Sequence, residues 1–250
     1  MLYKNLLDKL DNYKNILDEY RPLNQKVLQQ IEQDFLVKYN QQSNAIEGNS
    51  LTIFETRVLL ESGITANGKP FKDHLDILNH QEAIYYLNDL VKERKILSEA
   101  IIKDFHYLLL QKTDNAREAG KYRTMPVVIQ GAEHLPPQPY LIASKMEELI
   151  EWNNKKQSLH PIERIAQLHN RFVGIHPFID GNGRTGRLIM NFELLKSGYQ
   201  IAIIKAEQRA DYYQALQLGD QGNYVMLTQV IAEAAIATME HTLKIIDFIE

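Results

Sequence analysis

Apolar residues recur every three or four positions along most of this chain, a spacing that predicts helices. Tyr3, Leu6, Leu10, Tyr13, Leu17 and Tyr20 mark one face of a first helix, which Pro22 ends. Val27, Ile31, Phe35 and Tyr39 form the stripe of a second, predicted over 24–47, with Gly48 placed to stop it. Thr52 and Glu55 have capping-box spacing for a third, which Gly63 closes before a turn at 67–70. A long helix is predicted over 71–95. Another follows Ser98, with Ile101, Phe105 and Leu108 on its face, and another begins near Leu141. Ile165, His169 and Phe172 continue the pattern in a helix from Pro161. Leu188, Phe192 and Leu195 do so in a helix after Gly183 that Gly198 stops. Residues 200–204 read as extended, and 224–248 as a closing helix. One segment breaks the rule: Val127, Val128 and Ile129 are β-branched and precede Gln130-Gly131, which suits a short hairpin. The expected fold is mainly α with one small hairpin.

Composition narrows the picture. With 250 residues and 44% apolar content the chain can bury a real core, and its net charge of −4 leaves no basic footprint for nucleic acid. Absence of cysteine excludes a disulfide framework and thiolate chemistry. The first ten residues alternate charge with leucine, unlike a signal peptide, and no run of about twenty apolar residues would span a bilayer. A cytoplasmic protein with no membrane partner is expected.

The chemistry concentrates in 176–187, His-Pro-Phe-Ile-Asp-Gly-Asn-Gly-Arg-Thr-Gly-Arg. The first N–H groups of a helix lack internal partners and attract anions, and glycines let phosphate oxygens approach the backbone. Arg184 and Arg187, three apart, project from neighbouring points of one helical face, where two guanidinium forks can clamp different phosphates. Pro177 disfavours helix at His176, so this imidazole sits at a helix end beside the anion cradle, placed to take a proton from an attacking hydroxyl. Asp180 is the only acid in the loop, and a lone carboxylate beside phosphates commonly holds Mg²⁺. Of the other histidines, His169 reads as a packing residue, and His74 and His80 lack a matching metal-ligand set.

This segment resembles the signature of the Fic family, and Ser43-Asn44-Ala45-Ile46-Glu47-Gly48 resembles that family's inhibitory motif. The resemblance covers roughly 43–218. It implies a Fic-type helical bundle over 43–220 with the inhibitory motif at 43–48. An N-terminal helical extension (1–42) would hold the inhibitory helix, and a C-terminal helix (221–250) would pack on the same core. It implies AMP transfer from ATP to a Ser, Thr or Tyr hydroxyl of a protein target. His176 would be the base and Asp180 the ligand of Mg²⁺, other divalent ions being equally admissible. Gly181, Asn182 and Gly183 would form the phosphate cradle, flanked by Thr185 and Gly186. Arg184 would meet the β-phosphate and Arg187 the γ-phosphate. Ser43, Glu47 and Gly48 would be inhibitory, with Glu47 paired to Arg187 in the γ-phosphate's place. Keeping such a site 99% closed takes only about 2.7 kcal/mol.

Residues 120–137 resemble the family's flap, whose Val128, Ile129, Gln130 and Gly131 would line the nucleotide and whose edge would pair with an extended target segment. Residues 209–216 resemble the helix that contacts adenine, with Tyr212 or Tyr213 against the base. Asp220 stands where related enzymes often carry Asn. Three alternatives stay open: AMP removal with Glu47 orienting a water, a nucleotide-binding regulatory module without transfer, and choline-phosphate transfer. A homodimer is compatible with the sequence but not specified by it.

Overall fold

The structure, a computed structural model, describes residues 2–129, 134–155 and 158–249. Among these residues ten α-helices run in the order α1 (Leu2–Glu19), α2 (Gln25–Ile46), α3 (Ile53–Ser62), α4 (Phe71–Lys92), α5 (Glu99–Leu110), α6 (Ile142–Asn154), α7 (Pro161–Ile175), α8 (Asn182–Lys196), α9 (Arg209–Asp220) and α10 (Val225–Ile249).

Local chemistry sets most of the boundaries. Thr52 and Glu55 exchange side-chain and backbone bonds in a complete capping box at the start of α3, and Gly63 closes that helix at φ 68°. Ser98 caps α5 through Ile101 N–H. α4 stops at Lys92, three residues earlier than predicted, because Arg94 turns left-handed and the Lys95 N–H reaches back to the Leu90 carbonyl. α8 starts earlier than predicted, at Asn182, with Gly181 before it at φ 74°.

α8 lies at the centre, touching α2, α4, α5 and α7. Twelve of its residues are buried, which is why its sequence shows so little amphipathic stripe. One apolar cluster joins Leu10, Leu17, Val27 and Ile31 to Met190 and Leu194 of α8 and to Leu227, Ile231 and Met239 of α10. A second joins Phe105 and Leu109 of α5, Leu168 and Phe172 of α7, and Leu188, Ile189 and Phe192 of α8. The α8 helix is thus packed from both sides, and its N-terminal end emerges beside the C-terminal end of α7.

One sequence expectation differs. Residues 127–129 form no strand; Gln130 and Gly131 lie outside the described residues, so the hairpin is not seen. Residues 200–204, expected to be extended, belong to no helix and no strand: the side chain of Asn191 accepts from Ala202 N–H and donates to the Ala202 carbonyl, giving that segment the pairing a neighbouring strand would supply.

Candidate active site

α7 ends where His176 adopts a left-handed conformation, φ 50°, unusual for a residue with a side chain. Pro177 then turns the chain, and Phe178 anchors it, fully buried and stacked on His106 with ring centroids 3.7 Å apart. Asn182 closes the loop from the other side. Its Oδ1 accepts from Phe178 N–H at 3.0 Å and its Nδ2 donates to the Phe178 carbonyl at 2.9 Å. The Asn182 side chain therefore builds the loop, and only its backbone is left to face an anion. The α8 N-terminus carries no side-chain cap, which leaves its first N–H groups for a ligand.

Glu47 now fills that place. It caps the C-terminal end of α2, and Gly48 follows at φ 95°. Its carboxylate lies directly over Gly183: a Cβ added there would collide with Glu47 Oε1 and lie 3.2 Å from Arg187 Nη1. Arg187 Nη2 donates to Glu47 Oε1 at 2.7 Å and to the Ser43 carbonyl at 2.7 Å, while its Nε donates to Ser43 Oγ at 3.0 Å. Burial opposes the charge on Arg187, yet the Glu47 carboxylate holds its pKa well above the usual guanidinium range.

The surroundings of His176 favour its neutral form. Burial lowers its pKa, and the Arg123 cation adds to that, against the pull of Glu47 and Asp180. The Val173 carbonyl acts on the same ring in the direction that retains a proton, although Nδ1 has no well-formed hydrogen bond. Asp180 is held ionised: burial resists its charge, but Arg184, the Gly181 N–H at 2.6 Å and Asn115 Nδ2 at 3.1 Å lower its pKa. Among the described residues no three His, Asp or Glu side chains gather to hold a metal on their own. One ionised, part-exposed carboxylate fits a divalent ion held mostly by phosphate oxygens and water.

The remaining residues of the motif fall into different surroundings. Arg184 is buried and paired to Asp76 of α4 at 2.7 Å, with Asp180 4.0 Å away. Thr185 is fully buried, and Gly186 meets α7, its carbonyl bonded to His169 Nδ1. The Nε2 of His169 meets the Tyr212 hydroxyl at 2.6 Å, and Tyr212 is buried beside Arg187, whereas Tyr213 is open to solvent under Arg209. Val128 is exposed and Ile129 half-buried; Gln130 and Gly131 lie outside the described residues. Beside the end of α7 is a cavity of about 430 Å³ whose lining includes His134, Asn170, Gly174, Ile175 and Asp220. Sequence reasoning gave no role to Asp76, His106 or Arg123. Each acts through a contact with a residue far away in the chain, which leaves no local pattern.

Comparison with known proteins fits this geometry. The family model for Fic/DOC matches residues 96–194, which takes in α5 to α8, His176 and the whole glycine-arginine segment. The protein adenylyltransferase Fic of Drosophila mojavensis is 33% identical over 242 residues, 96% of this chain. This chain contains a Fic/DOC domain. The match begins after Glu47, so Glu47 lies outside it and its partner Arg187 inside it. Fic-1 from C. elegans superposes over 100% of this chain and 74% of its own, with a TM-score of 0.88 and 28% identity. A Fic domain-containing signaling protein from Bacteroides thetaiotaomicron superposes over 98% of this chain and 96% of its own, with a TM-score of 0.85 and 26% identity. The chain spans about half the length of the curated fly relatives, 47% of the D. mojavensis protein. Among the described residues no helix is long and apolar enough to cross a membrane.

Proposed function

We propose that this protein binds ATP and transfers AMP to a hydroxyl of a protein target, and that Glu47 holds the activity down. One observation carries the reading: an uncapped, glycine-fronted helix end lies beside a neutral histidine and is occupied by the chain's own carboxylate. A site that must be blocked by an internal anion is a site for an external one. The adenylyltransferase name of the 33% identical relatives supports the same chemistry.

In this mechanism the α8 N–H groups and the two arginines align the triphosphate. The His176 imidazole takes the proton of the target hydroxyl as that oxygen attacks the α-phosphorus. The bond from α-phosphorus to the bridging oxygen breaks, and pyrophosphate leaves. Asp180 would hold a divalent ion, which supplies neutralisation of the phosphate charge. The cavity at Asn170 and Asp220, next to the end of α7, offers room for the base, and the exposed stretch around Val128 offers backbone for the target.

Transfer of α-labelled phosphate from ATP tests the reading. Wild type should label weakly, Glu47→Gly strongly, and Glu47→Gly with His176→Ala not at all. Label in the double variant equal to that in Glu47→Gly alone removes His176 as base; ATP binding without label in any variant leaves a nucleotide-binding module. A second activity, removal of AMP, has its own support. The Glu47 side chain keeps 35% exposure and acts electrostatically on His176, so it can face a water near the same centre. An AMP-modified protein incubated without ATP reads it directly.

A further inference from the structure

Arg123 is 3% exposed, and none of the ion pairs among the described residues involves it. Burial alone pushes its pKa down. A buried, unpaired cation is costly to keep. Carbonyls hold it instead: Nε donates to the His176 carbonyl at 2.8 Å, Nη1 to Met125 at 2.9 Å and Nη2 to Pro137 at 2.6 Å. Its backbone N–H donates to the Pro177 carbonyl at 2.9 Å. One planar fork therefore joins the left-handed histidine to the chain on either side of 126–136. Close by, His106 makes a second tie: its Nδ1 accepts from Gly120 N–H at 2.9 Å, so its Nε2 carries the proton donated to the Asp180 carbonyl at 3.0 Å.

We infer that Arg123 is a positioning residue that fixes the His176 backbone and both stems of the flap as one rigid unit. A target strand pairing with the flap is thereby placed in register with the imidazole. This rests on His176 being the base. Only a three-pronged donor does the job, which is why lysine is not equivalent: it keeps the charge but cannot bond three carbonyls in one plane. Three charged groups act on His176, namely Arg123, Glu47 and Asp180. Removing the first should raise its pKa, and keeping the charge as lysine should not.

The test uses the full chain carrying Glu47→Gly, with Arg123→Lys and Arg123→Gln added in turn. Labelling by α-labelled ATP should fall roughly 100-fold in both, as expected when reacting groups lose alignment. ATP affinity by calorimetry should stay within about threefold, which separates positioning from binding. Proton NMR titration of the His176 ring, assigned with His176→Ala, should show a raised pKa for Gln and an unchanged one for Lys. Amide exchange at Met125 and Gln138 should speed up in both. Full labelling by the Lys variant overturns the proposal. So do losses of labelling and of ATP affinity in equal proportion, which would mark a purely structural residue. If the Glu47→Gly parent does not label at all, adenylyl transfer fails; the exchange and titration arms still decide the clamp, and unchanged values in both overturn it.

Discussion

Glu47→Gln changes one oxygen for an NH₂ and leaves the rest of the proposed latch in place. In the structure the Glu47 carboxylate does two things at once. It supplies the negative partner of Arg187, and it fills the space over Gly183 where a phosphate would approach the helix. Gln removes the first and keeps the second; Glu47→Gly removes both. A hydrogen bond to a charged group contributes about 1.5–3 kcal/mol, and the 35% exposure of the Glu47 side chain points to the lower part of that range. ATP affinity should therefore rise roughly 10- to 40-fold for Gln if charge is the main barrier, and further for Gly. Arg187 retains both Ser43 contacts in either variant, so the fold should survive. The assay is calorimetric titration with a non-hydrolysable ATP analogue and Mg²⁺, beside thermal unfolding of each protein. Equal affinity in wild type, Gln and Gly would falsify the latch. Tighter binding in Gly alone would assign the blockade to bulk rather than charge.

Two further outcomes follow from the same coordinates. Gly183→Ala places a methyl where both the Glu47 carboxylate and a phosphate need to be, so it should abolish ATP binding even on Glu47→Gly, in calorimetry, while α8 stays folded. Acid should destabilise the protein through His106 and His169. Burial lowers each pKa to about 4, from 6.5 when unfolded, so the unfolded chain binds the protons. Stability is then complete above pH 6.5 and falls as the pH drops towards 4, by up to about 3 kcal/mol for each histidine. Urea unfolding at pH 7 and pH 4.5 measures the fall, and His169→Gln should make it shallower.

Where a residue's role is local, the sequence shows it. Thr52 and Glu55 announce their box, Gly63 its left-handed stop, and Pro177 the end of α7, because each acts within four residues of itself. Glu47 and Arg187 are 140 residues apart and were still paired on paper, because two motifs were legible and resemblance joined them. Asp76 had no such help. Nothing near it in sequence reveals that it meets Arg184, 108 residues on, and a carboxylate in the middle of α4 reads as solvent-facing. Arg123 and His106 were missed for the same reason, since carbonyls and stacked rings leave no trace in composition. The β-branched run at 127–129 misled in the opposite direction. It has strand propensity, but a strand exists only with a partner, and the described part of that segment has none.

The central helix shows how binding and stability are divided within one element. An uncapped N-terminus normally frays, and replacing a good cap by a poor one costs about 1 kcal/mol. α8 does without a side-chain cap because packing, not capping, holds it. Phe192 and Leu188 lie in one cluster and Met190 and Leu194 in the other, while Gly186 lets α7 approach closely. With the helix fixed from behind, its leading N–H groups need no internal partner and can be kept for an anion. In the proposed function Glu47 is the resting occupant of a site that the core, rather than the ligand, keeps formed. Folding should accordingly not depend on nucleotide: without ATP, Glu47→Gly should unfold at nearly the same urea concentration as wild type. A large loss of stability in that variant, recovered by ATP, would mean instead that the anion builds the site.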